Sequence, residues 1–232
     1  MLVEARDGKT PNPEGLTPVK EMLSLQIFDV GAVQFRRFRF NLHETYPDAP
    51  EASVYFDLRL LRRFPDAKRC AVSAYQELVR PLKFDLFADI PTAASHFVSS
   101  LQDRFGVGIV TPRIDKKTHG NGNKIDGILP EDRGKIALPI DDVATHGTSV
   151  GNAAKILREE GLVVKDAIVL IDREQGAGEC LEKQGIKLHS AFTLQQMIKY
   201  YLRMGRITQK TYDEIQENER ALNKFLQEVN PV

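Results

Sequence analysis

The 232-residue chain has no tryptophan, two cysteines and no net charge, its 32 Lys and Arg being matched by 32 Asp and Glu. Cys70 and Cys180 show neither CxxC spacing nor a neighbouring His cluster. A disulfide framework and a thiolate zinc site are therefore excluded, and both thiols are expected to be reduced. The balanced charge lacks the sustained positive field that a polyanion or an anionic membrane requires, so nucleic acid is disfavoured as a partner. It leaves room for a local charged site. No stretch approaches the roughly 18–20 apolar residues of a membrane-spanning helix. Residues 1–20 are polar, with no apolar segment of the kind a secretory signal carries. These absences lead to the expectation of a cytoplasmic protein without a membrane partner. What is present, 42% hydrophobic and 28% charged residues, is enough to build an ordinary core.

Residues 1–18, with Gly8, Pro11, Pro13 and Gly15, are expected to form a flexible tail, disordered or draped on the surface. Residues 19–66 should form a small unit, with a helix over 19–30 and extended segments over 33–40 and 53–60. Its Arg36, Arg37 and Arg39 beside Phe35, Phe38 and Phe40 fit one apolar and one solvated face of a hairpin strand. From about residue 67 helix and strand alternate. Helices are expected over 68–80, 93–105, 149–160, 194–202 and 209–229. Short apolar strands are expected over 84–90, 107–111, 136–140, 167–172 and 186–190. Continuous apolar strands between helices indicate an α/β fold with a parallel sheet covered on both faces. Residues 67–232 are taken as this core with its C-terminal helices, a single structural domain overall. Ligands of such sheets bind at the carboxyl ends of the strands.

The richest segment follows the strand 136–140. Asp141 and Asp142 are adjacent carboxylates, and Val143, Ala144, Thr145, His146, Gly147, Thr148 and Ser149 then lead into a helix. Hydroxyls and accessible backbone N–H groups at a helix N-terminus make an anion site. Carboxylates just upstream can accept hydrogen bonds from vicinal hydroxyls or engage a cation. Phosphate beside a diol describes a ribose 5-phosphate, and a helix cap alone would need fewer polar groups. A second cluster lies at 113–124, where Arg113, Lys116, Lys117 and Lys124 stand against Asp115 as the one acid, with Gly120 and Gly122 between. Such a loop suits a leaving group that carries several negative charges. Arg173, directly after the strand 167–172, can grip a carboxylate or carbonyl edge. His146 is expected to point to solvent, and His189 to make a structural hydrogen bond.

The segment 136–149 resembles the phosphoribosyl pyrophosphate motif of type I phosphoribosyltransferases. More narrowly, the chain is similar to the orotate phosphoribosyltransferases. The stretches 28–33, 55–59, Arg113 to Gly122, and Leu170 to Gly176 with 185–190 beyond it carry that narrower likeness. The resemblance runs from about residue 19 to the last helix. It implies a type I phosphoribosyltransferase fold, a central parallel sheet flanked by helices, with a small N-terminal hood. It also implies transfer of phosphoribosyl from its pyrophosphate to orotate, giving orotidine 5′-phosphate in pyrimidine synthesis. In that scheme Arg113, Lys117 and His119 engage pyrophosphate and Asp141 serves catalysis. Asp141, Asp142, Ala144, Thr145, His146, Gly147, Thr148 and Ser149 hold the phosphoribosyl group, and Arg173 with Thr145 meets the base. Mg²⁺ travels on the pyrophosphate with no direct protein ligand, and the loop is shared across a homodimer. Asn41, Ile114 and Thr92 stand where the family usually has other residues, Asn41 and Ile114 in place of cations. Two alternatives follow from them: another base as acceptor, or a regulatory protein that binds phosphoribosyl pyrophosphate without turnover.

Overall fold

The computed structural model describes residues 11–39, 42–113 and 124–229. Lys117, His119, Asn41 and Ile114 lie outside the described residues. Of those described, the residues up to Cys70 and from Phe192 onward form one compact unit, and Ala71–Ala191 form a second. The C-terminal helices thus group with the N-terminal segments in the first unit.

In the first unit, α1 (Pro18–Asp29) opens on Thr17, whose side chain accepts from the Lys20 amide, with Pro18 in the first turn. The residues before it are not a loose tail from Asn12 on. Asn12 Oδ1 accepts from the Glu14 and Leu16 amides at 3.0 and 2.8 Å, and Asn12 Nδ2 donates to Glu21 at 2.7 Å. Leu16 is fully buried. Both Glu14 oxygens accept from Arg203, which fixes this segment to α7 (Leu194–Arg203). The strands β1 (Val33–Phe38) and β2 (Ala52–Phe56) pair antiparallel with Val33 opposite Phe56 and a register shift between Phe35 and Phe38. That bulge keeps Phe38 and Ala52 on the apolar face, where they pack on Leu222 and Leu226 of α8 (Gln209–Val229). The connection holds a four-residue helix, α2 (Leu42–Thr45), and buried His43 bonds the Ala49 carbonyl at 3.0 Å. Beyond Phe56 the chain winds into a 3₁₀ turn, Leu58–Arg63, where an extended run to residue 60 was expected. The helix α3 (Pro65–Val79) then leads out of this unit.

The second unit carries a six-stranded sheet. Its strands in chain order are β3 (Leu86–Asp89), β4 (Gly108–Pro112), β5 (Ile125–Asp126), β6 (Ala137–Ala144), β7 (Asp166–Asp172) and β8 (Lys187–Thr193), in spatial order β5-β4-β3-β6-β7-β8. The pairs β3–β4, β3–β6 and β6–β7 are parallel, but β5 runs antiparallel to β4. The sheet is therefore mixed where a wholly parallel one was expected. The helices α4 (Ser95–Phe105), α5 (Thr148–Glu159) and α6 (Ala177–Glu182) connect the strands. Val150, Ala153, Ala154 and Leu157 of α5 pack with Ala88, Ile90, Val110 and Ala137 in an apolar core. Among the described residues no helix is long and apolar enough to cross a membrane.

Candidate active site

Parallel pairing directs the ends of β3, β4, β6 and β7 to one edge, and the chemistry-bearing residues follow from it. The strand β6 continues beyond Ile140, because Asp141 pairs with Val169 and Ala144 with Asp172 of β7. Asp141 and Asp142 thus lie on extended backbone instead of opening the loop. Asp141 is 8% exposed, and its Oδ1 accepts from the Asp142 amide at 2.9 Å. Asp142 Oδ1 accepts from the Val143 amide at 2.8 Å. Burial and the neighbouring Asp142 charge push the Asp141 carboxyl up to about 8. Beneath them, Tyr75 of α3 is fully buried and donates its hydroxyl to the Asp141 carbonyl at 2.7 Å. Nothing in the sequence marks Tyr75 beyond its place on the apolar side of a helix.

After Ala144 the chain turns through Thr145 and His146 to Gly147, which precedes α5 in left-handed conformation at φ 76°. A Cβ at Gly147 would lie 3.0 Å from Leu181 Cγ and 3.3 Å from the Ala177 carbonyl, so glycine is needed both for the turn and for the approach of α6. No side chain caps α5, and Thr145, Thr148 and Ser149 are exposed. Capping therefore does not consume these hydroxyls, and the first amides of a twelve-residue helix stay available to an anion. His146 departs from its expected solvent-facing position. It is half-buried, its Nε2 is shielded without a hydrogen-bond partner, and burial followed by the Arg173 charge lowers its pKa.

Arg173 is 9% exposed, and its amide donates to the Ala144 carbonyl at 2.9 Å, so the turns after β6 and β7 run side by side. Asp172 Oδ1 accepts from the Glu174 amide at 2.8 Å. Burial, opposed by that hydrogen bond and reinforced by Glu174 and Glu179, raises the Asp172 carboxyl. A cavity of about 270 Å³ opens beside it, lined by Asp172, Glu174, Gly176, Ala177, Gly178 and Glu179. At the end of β3, Asp89 is 8% exposed with Oδ1 unpartnered, and burial raises its pKa against a Ser95 hydrogen bond.

Arg113 closes β4. Its amide donates to the Lys124 carbonyl at 2.8 Å, and its Nε donates to Asp126 of β5 at 2.7 Å, with Nη2 on the other Asp126 oxygen. Lys124 pairs with Glu159 of α5 at 2.7 Å. Arg113 and Lys124 are thus held together and tied to the helix whose other end is Thr148. Asp126 and Glu159 had no signal in the sequence, since each gains meaning only from its partner. His189 takes Asp166 as its partner at 2.7 Å. Asp141, Asp142, Thr145–Ser149 and Arg173 come together at the ends of β6 and β7, and Arg113 stands two strands away at the end of β4. Among the described residues no three His, Cys, Asp or Glu side chains group as a metal site.

The sheet order and the acid–hydroxyl turn before α5 define a type I phosphoribosyltransferase fold. No family model matches the chain. It is 32% identical over 164 residues to the orotate phosphoribosyltransferase of Sulfurisphaera tokodaii, covering 70% of this chain and 82% of that one. It is 29% identical over 190 residues to a "Bifunctional enzyme PyrF/PyrE" of Nostoc sp., covering 82% of this chain but only 38% of that longer protein. The crystal structure of orotate phosphoribosyltransferase from Aeropyrum pernix superimposes with a TM-score of 0.69 at 28% identity, over 81% of this chain and all of that one. The chain belongs to the orotate phosphoribosyltransferase family.

Proposed function

We propose that the protein transfers the phosphoribosyl group of 5-phosphoribosyl 1-pyrophosphate to orotate, forming orotidine 5′-phosphate and pyrophosphate. The observation that carries this reading is the uncapped α5 N-terminus with exposed Thr145, Thr148 and Ser149, directly after Asp141 and Asp142 and beside Arg173. The amides and hydroxyls of 145–149 take the 5-phosphate. Asp141 and Asp142 accept from the ribose hydroxyls. Arg173 orients the base through its carboxylate, a bidentate match of planar groups. A base nitrogen then forms its bond to the anomeric carbon as the bond to pyrophosphate breaks; the electron pair leaves with pyrophosphate, and the nitrogen's proton passes to pyrophosphate or water. Arg113, Lys117 and His119 are assigned to that departing charge.

The scheme places Mg²⁺ on the pyrophosphate, where it neutralises leaving-group charge, and not in a side-chain cage. The active form is read as a cytoplasmic homodimer in which each loop serves its neighbour's site. The test is release of pyrophosphate on incubation with phosphoribosyl pyrophosphate, Mg²⁺ and a panel of bases. Turnover with orotate and not with the other bases is expected. Turnover only with a different base would replace the acceptor, and binding without turnover would make the protein a sensor.

A further inference from the structure

The turn between β6 and α5 presents its hydroxyls outward, but one of its side chains does not follow. His146 is half-buried, and its Nε2 is shielded from solvent with no partner. Leaving a buried polar nitrogen unpaired costs about 1–3 kcal/mol, a cost that a hydrogen bond to a bound group would relieve. The neighbourhood follows from the backbone. The Arg173 amide donates to the Ala144 carbonyl at 2.9 Å, which brings the residue after β7 alongside the residue two before His146. Burial, with the Arg173 charge added to it, lowers the pKa of the ring and favours its neutral form. A neutral imidazole has one donor and one acceptor nitrogen, whereas arginine can only donate. Both can therefore donate to a planar carboxylate, a group that orotate keeps once its N1 is bonded to ribose. A 5-phosphate, by contrast, gains from cations, hydroxyls and amides, and an uncharged ring with an inward nitrogen brings it little.

We propose that His146 is a specificity-determining residue for the acceptor base, meeting the edge of the heterocyclic carboxylate that Arg173 holds, and is not a ligand of the 5-phosphate. The inference rests on the orotate reading above and names a second contact for its base. Calorimetric titration of wild type, His146→Ala and His146→Thr with ribose 5-phosphate and with orotidine 5′-phosphate tests it. Wild type should prefer the nucleotide. Both variants should lose about tenfold of that preference, the worth of one neutral hydrogen bond, and keep their ribose 5-phosphate affinity within about twofold. Parallel loss of ribose 5-phosphate affinity, or full retention of the nucleotide preference, overturns the role given to His146. A wild type that binds both ligands equally overturns the base reading itself, a result separate from those two. Since His146→Thr keeps a small polar side chain in the turn, a failure of the alanine variant to fold leaves the test standing.

Discussion

Asp141 shows how one residue links site chemistry to stability. Its carboxyl is pushed up to about 8 by burial and by Asp142. The unfolded chain, with an ordinary carboxyl near 3.9, loses this proton first, so the native state binds more protons across the interval from about 4 to about 8. The contribution is full below that interval and is lost as pH rises through it. Urea unfolding of wild type should therefore show stability falling towards pH 8, and Asp141→Asn should flatten that slope. An unchanged slope would remove Asp141 as its source. Arg173 makes a sharper chemical test. Arg173→Lys keeps the charge but not the planar fork, so the KM for the base should rise at least tenfold with little change in melting temperature. These positions were legible in the sequence because they stand at strand ends. The inward turn of His146 was not, since it depends on Arg173 being laced to Ala144 from a different strand.

Among elements, the β4–β5 hairpin does more than its length suggests. Arg113 is held by both oxygens of Asp126, and Lys124 by Glu159. These pairs are exposed to solvent, which screens them, so their use is positional. Asp126→Asn should leave the melting temperature nearly unchanged but raise the KM for phosphoribosyl pyrophosphate severalfold, as steady-state kinetics would report. The turn before α5 is less tolerant. Gly147→Ala adds a Cβ at φ 76° against Leu181 and the Ala177 carbonyl, and should cost about 1–2 kcal/mol in urea unfolding while weakening ribose 5-phosphate binding. The long strands and helices could be read from apolar runs and from stops such as Gly106 and Gly161. β5 could not, because two residues, Ile125 and Asp126, carry no periodicity and become a strand only by pairing with Thr111 and Pro112. The six-residue α6 escaped for the same reason. The extension of β6 through Ala144 reflects pairing with β7, which overrides the loop-like composition of the acidic pair.

For the whole molecule, the neutral total conceals segregation, with carboxylates at the ends of β3, β6 and β7 and cations around 113–124. A shared-loop homodimer makes a distinctive prediction. Mixing Lys117→Ala with Arg173→Ala, each inactive alone, should restore pyrophosphate release, because one site in each mixed dimer draws an intact loop from the other chain. No recovery after subunit exchange would place both residues in one chain's site. The apolar stripes of the C-terminal helices show that they pack, but not on what. Phe38 and Ala52 choose Leu222 and Leu226 across most of the chain length. That choice sets a timetable for synthesis. The hairpin leaves the ribosome well before the helix that covers it. The sheet of Ala71–Ala191 has all its strands in hand before then. Throughout that interval the first unit holds an unclaimed apolar face, and a nascent chain is then open to capture by chaperones or by its neighbours.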